Sequence, residues 1–385
     1  MIRPVAVVLV FGFTLVVAAC TSSTEPTTTL DLPSPSDSTT TLAPLPDDST
    51  STTAGNVEIP GTASNSLDPA VVDQMRQELA SLMVEAEEVR GLPFLSVPTV
   101  VILDEAEFTS RVTALIAEDL DEADMAIDSR FFSLIGMLPE GTDLYSFFIE
   151  LYGEQVAGFY DRDELEMVVP ASQDGFTPLQ RMTVLHELVH ALTDQHFEFY
   201  EPYTTLVEDG NGDDSSAMLA IIEGDAQRAS FVYLESLSPA DAVAAATEAL
   251  TIDSTVFNAA PAWIKSDLLF PYEQGLIFTN AVIGEGGLAG VDAAYVDPPA
   301  TTEQILNYDK YVVGEGTRTL APITAELLGW EIHDEGSFGE WGLRLASVGV
   351  GHMMIAAPSI RQHSNRPMVD PLVPDRASAC ALALK

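Results

Sequence analysis

The chain has 385 residues, of which 59 are acidic and 16 are basic, so its formal net charge is −43. A surface this negative repels phosphate groups, which argues against nucleic-acid binding. Hydrophobic residues make up 46% of the sequence, enough for the core of one large domain or two ordinary ones. The two cysteines, Cys20 and Cys380, are too few for a disulfide framework.

The first twenty residues have the pattern of a targeting segment. Arg3 precedes an apolar run over residues 5–19 that is too short to span a bilayer comfortably and stops at Cys20. Small apolar residues followed by a cysteine resemble the lipobox of bacterial lipoproteins, in which that cysteine is lipidated. We therefore predict a lipoprotein signal peptide over residues 1–20, with Cys20 as the lipidation site. The alternative is an ordinary secretory signal.

The next segment, residues 21–66, is rich in threonine, serine and proline and has no hydrophobic period. Such a segment cannot form a packed core, so it is predicted to be a disordered linker. Residues 67–346 are predicted to be the folded domain. Residues 347–385 have no clear period and are predicted to be an irregular tail.

Within the domain, helices are predicted over residues 69–90, 105–128, 143–152, 178–195, 216–236 and 239–251. Strands are predicted over residues 98–104, 158–160 and 165–169. Asp68 and Pro69 supply a cap and a first-turn proline for the first helix, and Gly91 ends it. The last two strands flank a polar turn, which indicates a hairpin. Because helices dominate and strands are few, the predicted fold class is α+β.

The strongest motif is HELVH at residues 186–190. His186 and His190 lie about 40° apart around a helix, so both imidazoles can reach one metal ion. Glu187 projects about 100° from His186, beside the ligands, where it can accept a proton from water. Met182 and Val189 flank His186, which places the histidines on an apolar face. The alternative is a chance match on an amphipathic helix.

The third ligand has two candidates, Glu223 and His196. The spacing of His196 matches the three-histidine pattern of the metzincins, but those proteins have glycine where this chain has Thr193. If the helix continues unbroken, His196 lies about 80° from His186 and three turns further along, out of reach of the same ion. Glu223 follows on a second helical stretch with apolar neighbours, and a buried carboxylate needs a partner. Glu223 is therefore the predicted third ligand.

HELVH followed by a glutamate on a second helix resembles the gluzincins, the thermolysin-like zinc peptidases. The resemblance implies a mainly helical, zincin-like domain with a small sheet or hairpin beside the metal-binding helix. It also implies Zn²⁺ as the cofactor, His186, His190 and Glu223 as its ligands, and Glu187 as the base. The longer strings HELVHALTDQHF and IIEGDAQ are similar to those of a group of predicted bacterial and archaeal metallopeptidases.

Supporting residues are less well defined by the sequence. Asp194 lies four positions after His190 and Asp225 lies two positions after Glu223, so either could accept a hydrogen bond from a ligand. Each is equally consistent with a solvated surface acid. Tyr160, on the hairpin before the metal-binding helix, is the candidate for stabilising an oxyanion.

These features predict zinc-dependent hydrolysis of peptide bonds on the outer side of the cytoplasmic membrane. The expected partners are a peptide or protein substrate and, through the lipid anchor, the membrane; the oligomeric state is left open. One alternative is a lipid-anchored binding or assembly protein without turnover, and another is a zinc enzyme that acts on a different bond. Glu187 favours an enzyme, since a non-catalytic site has no need of a base.

Overall fold

The computed structural model describes residues 58–161, 164–172, 175–317 and 338–356. These residues are mostly helical and include one three-stranded mixed sheet, so the predicted α+β class is confirmed. The predicted signal peptide with Cys20, residues 21–57 of the predicted linker and residues 357–385 of the predicted tail lie outside the described residues. None of the helices in the described ranges has the length and apolar character needed to cross a membrane.

The sheet consists of β1 (Thr99–Leu103), β2 (Phe159–Asp161) and β3 (Glu166–Pro170). The central strand, β3, pairs in parallel with β1 and antiparallel with β2, so the predicted hairpin is confirmed. A preceding segment extends the sheet on the other side of β1, where the Ser64 N–H donates to the Ile102 carbonyl. Residues 58–66, which the sequence pattern assigns to the linker, are therefore part of the folded unit.

Within the described residues up to 249, the helices in chain order are α1 (Pro69–Arg90), α2 (Glu105–Asp119), α3 (Glu122–Leu134), α4 (Leu144–Gln155), α5 (Pro178–Phe197), α6 (Tyr200–Glu208), α7 (Gly212–Ser236) and α8 (Pro239–Ala249). The described helices that follow are α9 (Thr255–Ala259), α10 (Ala262–Val296), α11 (Thr302–Leu306), α12 (Tyr308–Val312) and α13 (Gly339–Ala356).

Two predictions about these helices are wrong. The single helix expected over residues 105–128 is divided into α2 and α3, because Leu120 adopts an extended conformation and Asp121 caps α3 by accepting from the N–H groups of Ala123 and Asp124. The tail predicted to be irregular from residue 347 begins as a helix, since α13 continues to Ala356.

The metal-motif helix α5 lies at the centre of the fold. Thr177 and Gln180 form a reciprocal capping box at its start, and Pro178 occupies its first turn. All residues from 182 to 194 are buried, because α5 packs against α1, α7, α8 and the sheet. A helix buried on all sides is normally apolar, whereas this one contains histidine, glutamate and aspartate. Those buried polar side chains mark the region as a candidate functional site.

The long helix α10 packs very closely on α7. A Cβ atom added to Gly224 of α7 would lie 2.3 Å from the carbonyl carbon of Gly275, and one added to Gly275 would lie 2.1 Å from the Ala220 oxygen. Only glycine at both positions permits this approach. Further along, α10 bends at Gly287, where φ is 63°.

Candidate metal centre

Three buried side chains from two helices converge at one point. His186 and His190 lie on α5, Glu223 lies on α7, and their ligand atoms all lie within 4.8 Å of one another. Glu223 Oε2 is 3.0 Å from His186 Nε2 and 3.4 Å from His190 Nε2. No other cluster of this kind occurs in the described part of the chain. The three side chains could hold a metal ion.

The electrostatic environment favours the protonation states that bind metals. Burial lowers the pKa of the His186 imidazole, which favours its neutral form. Burial acts to raise the pKa of the Glu223 carboxyl, but the neighbouring His190 and His186 outweigh that effect and lower this pKa to about 2. A neutral imidazole and an ionised carboxylate are both ready to donate electron pairs to a cation.

Glu187 is buried beside this cluster without belonging to it. Its Oε2 accepts a hydrogen bond of 3.1 Å from the main-chain N–H of Tyr160 on β2, while its Oε1 has no hydrogen-bond partner among the described residues. Burial, together with the negative charge of Glu223, raises the pKa of the Glu187 carboxyl well above its ordinary value, and the Tyr160 N–H opposes this only in part. A buried carboxylate with a raised pKa is suited to accepting a proton.

His196 does not join the site. The helix α5 runs on past it to Phe197, and His196 Nε2 lies 2.7 Å from the Pro93 carbonyl oxygen. The Thr193 hydroxyl, at the position of the metzincin glycine, donates to the carbonyls of Val189 and His190 within the continuing helix. The structure therefore brings Glu223, and not His196, to the histidine pair.

The structure gives Asp225 a partner other than the ligand imidazoles, and the predicted role of Asp194 stays a prediction. Asp225 is fully buried and accepts from Arg90 Nε at 2.6 Å. Asp194 is also buried, but His190 Nδ1 has no hydrogen-bond partner within the described ranges. Asp225 lies two positions after Glu223, so it projects about 200° away from that side chain around α7.

The neighbour of His186 Nδ1 is instead Ser230, whose Oγ lies 3.5 Å away. Ser230 is seven residues after Glu223 on α7, which places the two side chains on the same face of that helix. This spacing is the signal by which Ser230 could have been found in the sequence.

Two buried tyrosines lie near the site. Tyr160, the predicted oxyanion stabiliser, contacts Glu187 through its main-chain N–H, so a role for its hydroxyl stays a prediction. Tyr272 of α10 was not singled out by the sequence, yet its ring centroid is 6.2 Å from that of His186. No spacing relates Tyr272 to the HELVH motif, and only the packing of α10 on α7 brings it here.

Comparison of the chain with protein-family models, with curated proteins and with solved structures found no match.

Proposed function

We propose that the protein is a zinc-dependent peptidase with a zincin-like domain and Glu187 as its general base. One observation carries the proposal: two imidazoles and one carboxylate converge, and a second buried carboxylate lies next to them without being one of the three. The outer strand β2 adds support, because it packs on the metal-motif helix and contacts Glu187 directly.

The donor set suits a catalytic zinc ion. Catalytic zinc sites typically have three protein ligands, often two histidines and one glutamate, and keep one position open for water or substrate. His186, His190 and Glu223 would supply those three ligands. When bound, zinc lowers the pKa of water to about 7 and polarises a carbonyl group.

Glu187 would transfer a proton from the attacking water to the leaving amine. The Tyr160 N–H holds Oε2 of this carboxylate, which leaves Oε1 free to accept a proton from the attacking water. The carboxyl can then deliver that proton to the amine that leaves when the peptide bond breaks. Burial raises the pKa of Glu187 above its ordinary value, which makes its carboxylate a stronger base.

Metal removal tests this proposal. We expect the purified full chain to cleave components of a diverse peptide mixture, to lose this activity on treatment with a chelator, and to regain it when Zn²⁺ is added. Mass spectrometry of the mixture would identify the new peptide termini. Stoichiometric zinc without any cleavage would favour a non-catalytic binding role, and a protein that retains no metal would contradict the proposal.

We further propose that Tyr272 stabilises the oxyanion that forms when water attacks the peptide carbonyl. Tyr272→Phe is expected to lower kcat by about 10²-fold and to leave the zinc content unchanged, because a hydroxyl that donates to the oxyanion acts in the transition state. Tyr160→Phe is the matched control. A large loss of kcat in Tyr160→Phe, with Tyr272→Phe unaffected, would reassign the role to Tyr160.

The location of the protein is also a proposal. If residues 1–20 are a lipoprotein signal and Cys20 is lipidated, Cys20→Ala should move the protein from the membrane fraction to the soluble extracytoplasmic fraction. Fractionation with carbonate washing and immunodetection would measure this. A variant that stays with the washed membranes would indicate a different mode of attachment.

A further inference from the structure

A buried arginine connects three helices, and one of its partners lies two positions from Glu223 on α7. Arg90 is the last residue of α1, and its side chain has no exposed surface. Its Nε donates to Asp225 Oδ2 at 2.6 Å, and its Nη2 donates to Asp292 Oδ1 at 2.7 Å. The helices α1, α7 and α10 therefore meet at one guanidinium group.

The ion pair and the metal ligand lie on opposite faces of α7. Glu223 and Asp225 are two positions apart, so their side chains project about 200° apart around the helix. Glu223 faces the histidines, whereas Asp225 faces Arg90. Gly224, between them, packs directly on the backbone of Gly275. Three consecutive residues of α7 thus each have a fixed partner, and Glu223 cannot shift without disturbing the ion pair.

Arg90 also contacts the helix that carries the two histidines. Its guanidinium carbon lies 5.9 Å from the ring centroid of Phe197, the last residue of α5. Phe197 in turn stacks on Tyr295 of α10, with ring centroids 4.7 Å apart and an interplanar angle of 6°. A guanidinium group is attracted to the face of an aromatic ring at this separation. Both ligand-bearing helices therefore contact the same side chain.

We infer that Arg90 is a positioning residue that aligns Glu223 with His186 and His190 for metal binding, an inference that rests on the proposed function. A planar guanidinium bonded to two carboxylates fixes their relative orientation, which a flexible ammonium group does not. A buried ion pair adds little net stability compared with apolar side chains of similar volume. Its contribution here is the alignment of α7, and a variant without it can fold while binding metal less tightly.

The experiment compares zinc affinity in folded variants of the full chain. The double variant Arg90→Met/Asp225→Asn removes both buried charges and keeps the side-chain volumes close to the original. Arg76→Met is the control, because Arg76 lies on the same helix and donates to the Gly61 carbonyl instead. Asp292→Asn removes only the partner of Arg90 whose side chain is 34% exposed. Circular dichroism checks folding, chelator competition gives the zinc dissociation constant, and the Co²⁺ absorption spectrum reports ligand geometry.

We expect the double variant to bind zinc about 10- to 100-fold more weakly and to change the Co²⁺ spectrum, as is typical when groups that orient metal ligands are lost. Arg76→Met should match wild type, and Asp292→Asn should show a smaller loss of affinity. A folded double variant with wild-type zinc affinity and spectrum would overturn the inference. If the double variant does not fold, unchanged zinc affinity in Asp292→Asn would overturn it and weakened affinity would support it. Wild-type protein that binds no zinc would instead refute the proposed function, and the inference with it.

Discussion

Glu187→Gln is expected to abolish peptide hydrolysis by a protein that keeps its full zinc content. Glutamine has nearly the same shape as glutamate, and its amide oxygen can still accept from the Tyr160 N–H. It cannot accept a proton from water, so the turnover number should fall by about 10²- to 10⁴-fold, the usual contribution of a general base. Zinc should stay bound because Glu187 is not among the three side chains that could hold the ion.

Thermal unfolding separates this result from simple destabilisation. In the metal-free protein, burial and the charge of Glu223 raise the pKa of Glu187, so ionisation of Glu187 opposes folding increasingly as the pH rises above the ordinary carboxyl pKa. Replacing it with a neutral amide removes that penalty, so after zinc is removed from both proteins the variant should unfold at the same or a higher temperature than wild type. Undiminished turnover, or loss of zinc from a folded variant, would remove Glu187 from the role of base.

Glu223→Ala is expected to lose its zinc on dialysis, whereas His196→Ala is expected to keep stoichiometric metal. Without Glu223 only His186 and His190 remain, and two imidazoles hold the ion too weakly to resist dilution or a mild chelator. His196 lies away from the cluster against the Pro93 carbonyl, so its removal leaves the three ligands intact. Metal content by mass spectrometry, measured beside wild type, gives the result.

The two variants also test which class of site is present. Loss of zinc in His196→Ala together with retention in Glu223→Ala would indicate a three-histidine site and would end the gluzincin interpretation. Circular dichroism is needed beside the metal analysis because Glu223 is buried, and its truncation leaves a space between α5 and α7.

Local signals predicted those elements whose ends are determined by neighbouring residues. Asp68 accepts from the Ala70 N–H and Thr177 from the Gln180 N–H, so the starts of α1 and α5 follow from capping chemistry within a few residues. The two histidines of the site could be predicted for the same reason, since one helical turn relates them. Glu223 could be predicted because its apolar neighbours indicate a buried face.

Features that depend on distant contacts were not predictable in this way. The helix α10 was missed because Pro271 and several glycines interrupt its pattern, and its packing on α7 compensates for them. The partner of Asp225 was missed because Arg90 lies 135 positions earlier in the chain. Tyr272 reaches His186 only through the close approach of α10, which no spacing in the sequence encodes.

The strand order has a mechanical consequence. The chain enters the fold along β1, where the Val100 N–H donates to the Pro60 carbonyl and the Ser64 N–H donates to the Ile102 carbonyl. β3 lies between β1 and β2, and the main-chain N–H of Tyr160 in β2 donates a hydrogen bond to Glu187 of α5. A pulling force on the chain before residue 58 would therefore load the hydrogen bonds at one border of the sheet. The opposite border, where the Tyr160 N–H donates to Glu187, would be shielded from that load by the central strand.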